Sequence, residues 1–222
     1  MSDIFMTGGT GYIGRRLIPV LLKRGHQVRA LVRPGSENKL APGCTPVPGN
    51  ALAAESYEDW VSPADTFVQL VGVPKPNPRK ARQFREVDFK SGMAAVHAAK
   101  HAGVRHLVYV SVAHPAPVMQ AYIQPRVEVE EAIHASSLNA TILRPWYVLG
   151  PGHRWPYLIL PAYWIMGLIP SKRGVAQRLG LVTLRQMIAA LVEAIESPAA
   201  EIKIVEVPDI RRASFSVSPK SE

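Results

Sequence analysis

The sequence predicts an α/β protein: a doubly wound parallel sheet carrying a small C-terminal lobe. Three observations point there. A glycine-rich turn, Thr7-Gly8-Gly9-Thr10-Gly11-Tyr12-Ile13-Gly14, joins the first apolar run to the first helical one. Apolar runs of strand length then alternate with segments of helical period as far as residue 207. Hydrophobic residues make up 47% of the chain and charged ones 19%, enough apolar surface to cover both faces of a sheet. The 222 residues suit one such domain. We divide it into a core over 1–150, a lobe with a returning helix and strand over 151–207, and a flexible tail over 208–222.

The elements follow in order. Asp3 to Thr7 reads as a short buried strand. Tyr12 to Arg24 has helical spacing, with Ile13, Leu17, Val20 and Leu21 on one side and Gly25 just past the end. Gln27 to Val32 is the next strand, closing a βαβ unit of about 30 residues. A weak strand lies at Thr45–Val47, and an apolar strand spans Asp65 to Val73. A helix over Glu86–Ala102, a β-branched strand over His106–Val110 and a helix over Pro125–Ala135 come next. A strand at Ala140–Leu143, a helix at Leu184–Glu196 and a strand at Ile202–Val207 complete the pattern, and the tail from Pro208 is expected to fray.

The glycine turn carries the first chemistry. Gly9-x-Gly11-x-x-Gly14 and Gly8-x-x-Gly11-x-x-Gly14 both match dinucleotide-binding spacings, and the turn sits between a strand and a helix. Such glycines allow a tight turn, close approach of backbone N–H groups to a pyrophosphate, and helix-on-strand packing. The helix N-terminus adds partial positive charge, and Arg15 and Arg16 are placed to reinforce it. A site for NAD carries Asp or Glu at the end of the second strand to bond the ribose 2′-OH. Here that strand ends Ala30-Leu31-Val32-Arg33, and the first carboxylate is Glu37. A planar guanidinium at Arg33 suits a 2′-phosphate, so NADP(H) is expected over NAD(H).

Charge and composition exclude other classes. The net charge of +9 favours anionic partners, but the chain has no zinc-finger or RNA-binding signature and its helical stripes face a core, so nucleic acid is not expected. One cysteine, Cys44, permits neither an internal disulfide nor a multi-cysteine zinc site and suits a reducing compartment. The first apolar run, Ile4-Phe5-Met6, breaks at once into glycines, unlike a secretory leader. The apolar stretch Tyr157 to Ile169 is interrupted by Pro161 and falls short of the roughly 20 residues that a bilayer span takes. A cytoplasmic protein with no transmembrane segment is expected. The enclosing stretch Trp155 to Ile169 is read first as the lining of an apolar substrate pocket, ahead of a subunit interface or a membrane-surface patch.

Three segments give the chain a recognisable cast: Thr7 to Gly14, the run Ala98-Ala-Lys-His-Ala-Gly-Val-Arg-His-Leu-Val-Tyr-Val-Ser111, and Leu143-Arg-Pro-Trp-Tyr-Val-Leu-Gly-Pro151. With these the sequence resembles the atypical and extended short-chain dehydrogenase/reductase superfamily, nearest to its NmrA-like and nucleoside-diphosphate-sugar-epimerase-like NAD(P)-binding proteins. The resemblance implies a Rossmann fold and covers most of residues 3–200. It implies that Ser111 polarises a substrate carbonyl and that Tyr122 is the general acid/base. Arg126 stands where the superfamily has a lysine that lowers the tyrosine pKa. It further implies that Gly49-Asn50 and Leu70-Val71-Gly72 line the adenosine, and that Pro145, Trp146, Tyr147 and Val148 line the nicotinamide.

Arg126 keeps the lysine's charge but presents a rigid fork. Pro125 disfavours the α conformation at the preceding residue and belongs in a first helical turn, which sets Tyr122 ahead of the helix. Two function classes follow. One is an oxidoreductase acting on an apolar carbonyl or quinone-like substrate. The other is a non-catalytic NAD(P)-binding redox sensor or structural subunit. His97 and His101 share a helix face but lack a third ligand, so no metal is expected. His114 is read as a loop histidine near the site, and Lys75 to Arg85 as a basic loop.

Overall fold

A computed structural model describes residues 1–151 and 179–215. The strands β1 (Asp3–Thr7), β2 (Gln27–Val32), β3 (Thr45–Pro48), β4 (Thr66–Gln69), β5 (His106–Val110), β6 (Ala140–Leu143) and β9 (Ile202–Val205) form one parallel sheet in the order β3-β2-β1-β4-β5-β6-β9. The chain reverses direction across the sheet between β1 and β4, whose register sets Met6 beside Val68 and Thr7 beside Gln69. This is the doubly wound architecture that the alternating pattern predicts, and its ligand crevice lies beyond the carboxyl ends of the strands at that reversal.

Side-chain alternation divides β1 between two cores. Ile4 and Met6 face one layer with Leu17, Ile18 and Leu21 of α1 (Gly14–Lys23). Met187, Leu191 and Ile195 of the late helix, Leu184–Glu196, complete that layer. Phe5 faces the other layer with Tyr57, Phe67, Ala95 and Ala99, covered by α3 (Lys90–His101) and α4 (Gln120–Ala135). The central strands are buried on both faces, so they read as continuous apolar runs.

Several elements depart from the sequence reading. The strand expected over Asp65–Val73 pairs only as far as Gln69, after which Leu70 to Val73 leave the ladder and bend over the glycine turn. The helix expected from Glu86 begins earlier: α2 (Ala81–Gln83) runs into a π-helical segment, Phe84–Phe89, and then into α3. The helix expected from Pro125 starts five residues sooner, at Gln120. Pro125 sits inside it; the carbonyl one turn back, on Ala121, loses its ladder donor, but Ala121 is exposed and water can serve instead.

A short parallel pair, β7 (Tyr147–Leu149) with β8 (Leu181–Thr183), was not anticipated. β8 leads into α5 (Leu184–Glu196), whose start is fixed by a capping box between Thr183 and Gln186. The last strand ends at Val205 and not at Val207. The tail expected to fray from Pro208 instead begins as a helix, α6 (Val207–Arg212), because Val207 and Ile210 bury completely against the first core. The apolar stretch Trp155 to Ile169 lies outside the described residues.

Candidate active site at the carboxyl edge of the sheet

The glycine turn leaves β1 and enters α1 with no room for side chains at two positions. Gly8 has φ +75°, and a Cβ there would stand 2.8 Å from the Leu70 carbonyl carbon. At Gly14 a Cβ would meet the Gly8 oxygen and lie 2.7 Å from Gly9 Cα, so the helix start is pressed onto the turn. Gly11 is different. It is exposed, its N–H donates to the Gly8 carbonyl at 2.9 Å, and that oxygen is all that a Cβ would touch. The turn is therefore a backbone cradle open to solvent at Gly11, with no acidic residue in the first turn of α1 to repel an anion. These features fit a pyrophosphate.

The two arginines of α1 divide. Arg16 lies over the Tyr12 ring, 4.4 Å from its centroid, and donates to the Tyr12 carbonyl at 2.8 Å. It braces the turn and is not held out to a ligand, which corrects the expectation for it. Arg15 is exposed. Arg33, at the end of β2, is exposed and makes no ion pair among the described residues; the nearby Glu37 carboxylate accepts from the Gly35 N–H at 3.1 Å. Asn50 follows β3, with its side chain accepting from its own turn at Leu52 N (3.1 Å). Thr7 is buried, and its hydroxyl donates to Gln69, whose amide donates on to Ser91 at 3.1 Å. This polar chain ties β1 and β4 together beneath the turn.

The π-helical segment brings Asp88 to the same edge. Asp88 and Arg126 form a buried ion pair, 3% and 5% exposed, and the Asp88 carboxylate also accepts from the Val73 N–H at 3.1 Å. A Cβ on Gly72 would lie 2.8 Å from the Arg126 guanidinium and 3.0 Å from Asp88. Leu70-Val71-Gly72 is thus clamped between the glycine turn on one side and this pair on the other.

Because α4 begins at Gln120, Tyr122 and Arg126 stack on one helical turn, contrary to the position ahead of the helix expected from Pro125. The guanidinium stands 3.9 Å from the Tyr122 ring centroid, and the edge of Phe84 packs at 5.0 Å. Burial pushes the Tyr122 phenol above its ordinary value, with Arg126 only partly offsetting this and Asp88 adding to it. Arg126 does pull that pKa down, as the sequence reading assigned to it, but burial outweighs it and the carboxylate of Asp88 opposes it.

Ser111 is buried, and its hydroxyl donates to Glu130, one turn beyond Arg126 on the same face of α4. Glu130 also accepts from Arg144 Nε at 3.1 Å and meets His114 Nε2 at 3.3 Å. These donors hold the Glu130 carboxyl below its usual range despite its burial. Arg144 bridges on to Glu206 at 3.1 Å. The Pro145 carbonyl accepts from Ala113 N at 3.0 Å, joining the loops after β5 and β6, and the Trp146 and Tyr147 rings meet edge to face at 5.5 Å. Val148 lies in the middle of β7.

With this geometry in hand, a family model described as NAD(P)H-binding matches residues 8–154. The chain belongs to that family. Among similar curated proteins, ceramide reductase of Caulobacter vibrioides is 26% identical over 217 residues, covering 96% of this chain and 66% of that protein. A 3-beta-hydroxysteroid dehydrogenase of Mycolicibacterium neoaurum is 30% identical over 117 residues, covering 50% of this chain and 32% of that protein. The chain spans less than two thirds of the length of these relatives. Among solved structures, the Bordetella bronchiseptica enzyme WbmH in complex with NAD+ superposes with a TM-score of 0.69 at 19% identity, covering 93% of this chain and 75% of that one. UDP-glucuronic acid 4-epimerase of Bacillus cereus, in complex with NAD, gives 0.66 at 17% identity over 92% and 77% of the two chains. These superpositions bear on the fold, which this NAD(P)H-binding chain shares with short-chain dehydrogenase/reductase and sugar-epimerase structures.

Four residues of the site escape a reading of the sequence: Gln69, Asp88, Glu130 and Arg144. Gln69 sits inside an apolar run, and Asp88 is carried inward by the π-helical segment. Glu130 did carry a signal. Tyr122, Arg126 and Glu130 recur every four residues, so a helix that contains the first places all three on one face.

Proposed function

We propose that this chain is an NADP(H)-dependent oxidoreductase of the atypical short-chain dehydrogenase/reductase type, reducing an apolar carbonyl or quinone-like substrate. The observation that carries the reading is the stacking of Tyr122 and Arg126 on one turn of α4, beside the carboxyl ends of β4 and β5. Gly8, Gly9, Gly11 and Gly14, with Thr7, Thr10, Tyr12 and Ile13, would hold the pyrophosphate. Asn50 and Leu70-Val71-Gly72 would line the adenosine, and Pro145 to Val148 the nicotinamide. An exposed Arg33 without an ion partner among the described residues supports a preference for the 2′-phosphate. The bound dinucleotide supplies hydride.

Tyr122 would donate a hydrogen bond to the substrate oxygen. A phenol held above its ordinary pKa stays protonated at neutral pH, which favours the reductive direction, where a donor is needed, over the oxidative one, where a base is needed. The names of the relatives support an apolar substrate: they act on ceramide and on a hydroxysteroid. No described helix is long and apolar enough to cross a membrane, and a cytoplasmic enzyme is the reading that we adopt.

The same raised Tyr122 and the engagement of Arg126 by Asp88 favour the second reading, a redox sensor that binds NAD(P)H without turnover. NADPH oxidation over a panel of quinones, aldehydes and long-chain ketones separates the two. The enzyme reading expects turnover that falls by about 10²–10⁴ in Tyr122→Phe while NADPH affinity holds. Binding without turnover across the panel, or turnover indifferent to that substitution, would favour the sensor.

A further inference from the structure

The loop between β5 and α4 is short of groups that can donate to a substrate. The Ser111 proton is committed to Glu130, and Val112 and Ala113 are apolar and buried. Pro115, Ala116, Pro117, Val118 and Met119 offer no side-chain donor, and the Gln120 amide turns back to the Ala116 carbonyl. His114 is what remains. Its backbone follows Ala113, whose N–H is fixed to Pro145 at the end of β6, so it stands on the same rim as the proposed nicotinamide wall. It is partly buried, and its Nε2 lies 3.3 Å from both oxygens of Glu130.

We infer that His114, held by Glu130, takes the place of Ser111 as the hydrogen-bond donor to the substrate carbonyl. The inference rests on the oxidoreductase reading. The tautomer follows from the partner. Glu130 is ionised, kept so by Arg144 just past β6 and Ser111 just past β5, and an ionised carboxylate only accepts, so Nε2 carries a hydrogen. Nδ1 has no hydrogen-bond partner among the described residues. With Nε2–H held by Glu130, it donates when the ring carries both protons. Arg144 is the cation that faces the same carboxylate, and Glu206 bonds that arginine from beyond β9. The charge that develops on the substrate oxygen as hydride arrives would then be met by Nδ1–H, in an oxyanion-type contact.

This assignment makes a pH signature that Tyr122 cannot imitate. Reduction should lose rate as rising pH removes the second ring proton of His114, a loss that disappears when a non-titrating donor replaces the ring, whereas burial holds the Tyr122 phenol above its usual value. Two substitutions divide the ring's roles. His114→Gln sets an amide near the Nε2 position, where it still serves Glu130, and should lower kcat/KM by about 10²–10³. His114→Asn sets its amide near Nδ1, donates without titrating, and should keep more activity than Gln while losing the pH limb. A readout apart from activity comes from ring ¹⁵N spectra of wild type with NADP⁺ and a ketone from the panel, a pair that cannot react. The His114 Nδ1 signal should move when the ketone is added, and Nε2 should stay protonated throughout.

Wild-type turnover with an unchanged rate and pH profile in both variants overturns the assignment alone, as does an Nδ1 signal that ignores the ketone. Absence of turnover across the panel in wild type overturns it together with the oxidoreductase reading. NADPH affinity matching wild type in each variant verifies that the fold is kept.

Discussion

Gly11→Val is the sharpest perturbation of the cofactor cradle, because the structure separates its effect on binding from its effect on folding. Gly11 is exposed, lacks a positive φ, and gives an added Cβ a single neighbour, the Gly8 oxygen at 3.0 Å. The fold should tolerate the change at a cost near 1 kcal/mol. The branched side chain would occupy the space through which a phosphate reaches the backbone. Hydrogen bonds from amides to a charged group contribute about 1.5–3 kcal/mol each. Loss of two removes about 3 kcal/mol or more, so Kd for NADPH should rise by at least about 100-fold. Calorimetry measures the affinity, and a thermal melt reports the fold. Gly14→Val is the contrast: its Cβ would press on backbone atoms of Gly8 and Gly9, so both binding and stability should fail. If Gly11→Val binds NADPH as wild type does, the anion does not sit on this turn.

Arg33→Asp sets a carboxylate where the 2′-phosphate is proposed to lie and should reverse the order of NADPH and NADH affinities; equal wild-type affinities would reduce Arg33 to a surface residue. Gly72→Ala pushes on the buried Arg126–Asp88 pair at 2.8 Å, and should cost about 1–3 kcal/mol of stability and lower turnover with it; an unchanged melting temperature would show that the clamp yields freely. Stability should also fall in acid, in two windows. Burial pushes His106 down to about 4 from 6.5, so the unfolded chain takes up its proton first and stability declines as pH drops between those values, by at most about 3 kcal/mol. Glu130 is held below the usual carboxylate range, so its contribution is present above an unfolded pKa of about 4.3 and is lost as pH falls further. Denaturant midpoints against pH should show the upper window vanish in His106→Gln, and its persistence there would assign the slope to another group.

What was legible in the sequence follows the strength of local signals. β1, β2, β5, β6 and α5 fall where periodicity and turn chemistry set them, because each is a compact apolar pattern closed by glycine, proline or a cap. The glycine turn was legible for the same reason. The start of α4 was not, since local propensity gives Pro125 to a first turn while tertiary packing of Ile123, Pro125 and Arg126 carries the helix five residues further back. The end of the chain failed similarly: Pro208-Asp209 and Arg211-Arg212 look like a polar tail, yet Val207 and Ile210 alone supply a buried face. The chemistry around Tyr122 was half legible. Arg126 was visible at four residues' spacing, but its ion partner Asp88 comes from 38 residues away through a π-helical segment with no sequence mark of its own. The engagement of Ser111 by Glu130 likewise depends on packing between β5 and α4, which no periodicity reveals.

A dinucleotide bound as proposed runs from the glycine turn to the rim that holds Tyr122 and His114. Backbone amide spectra titrated with NADPH, and separately with adenosine 2′,5′-bisphosphate, test this placement most directly. Both ligands should shift Gly8 to Gly14, Arg33 and Val71-Gly72, and only the complete dinucleotide should shift Ala113, His114 and Trp146. Shifts gathered instead along β9 and α6, around Lys203 and Asp209, or a His114 that responds equally to the adenosine fragment, would contradict it.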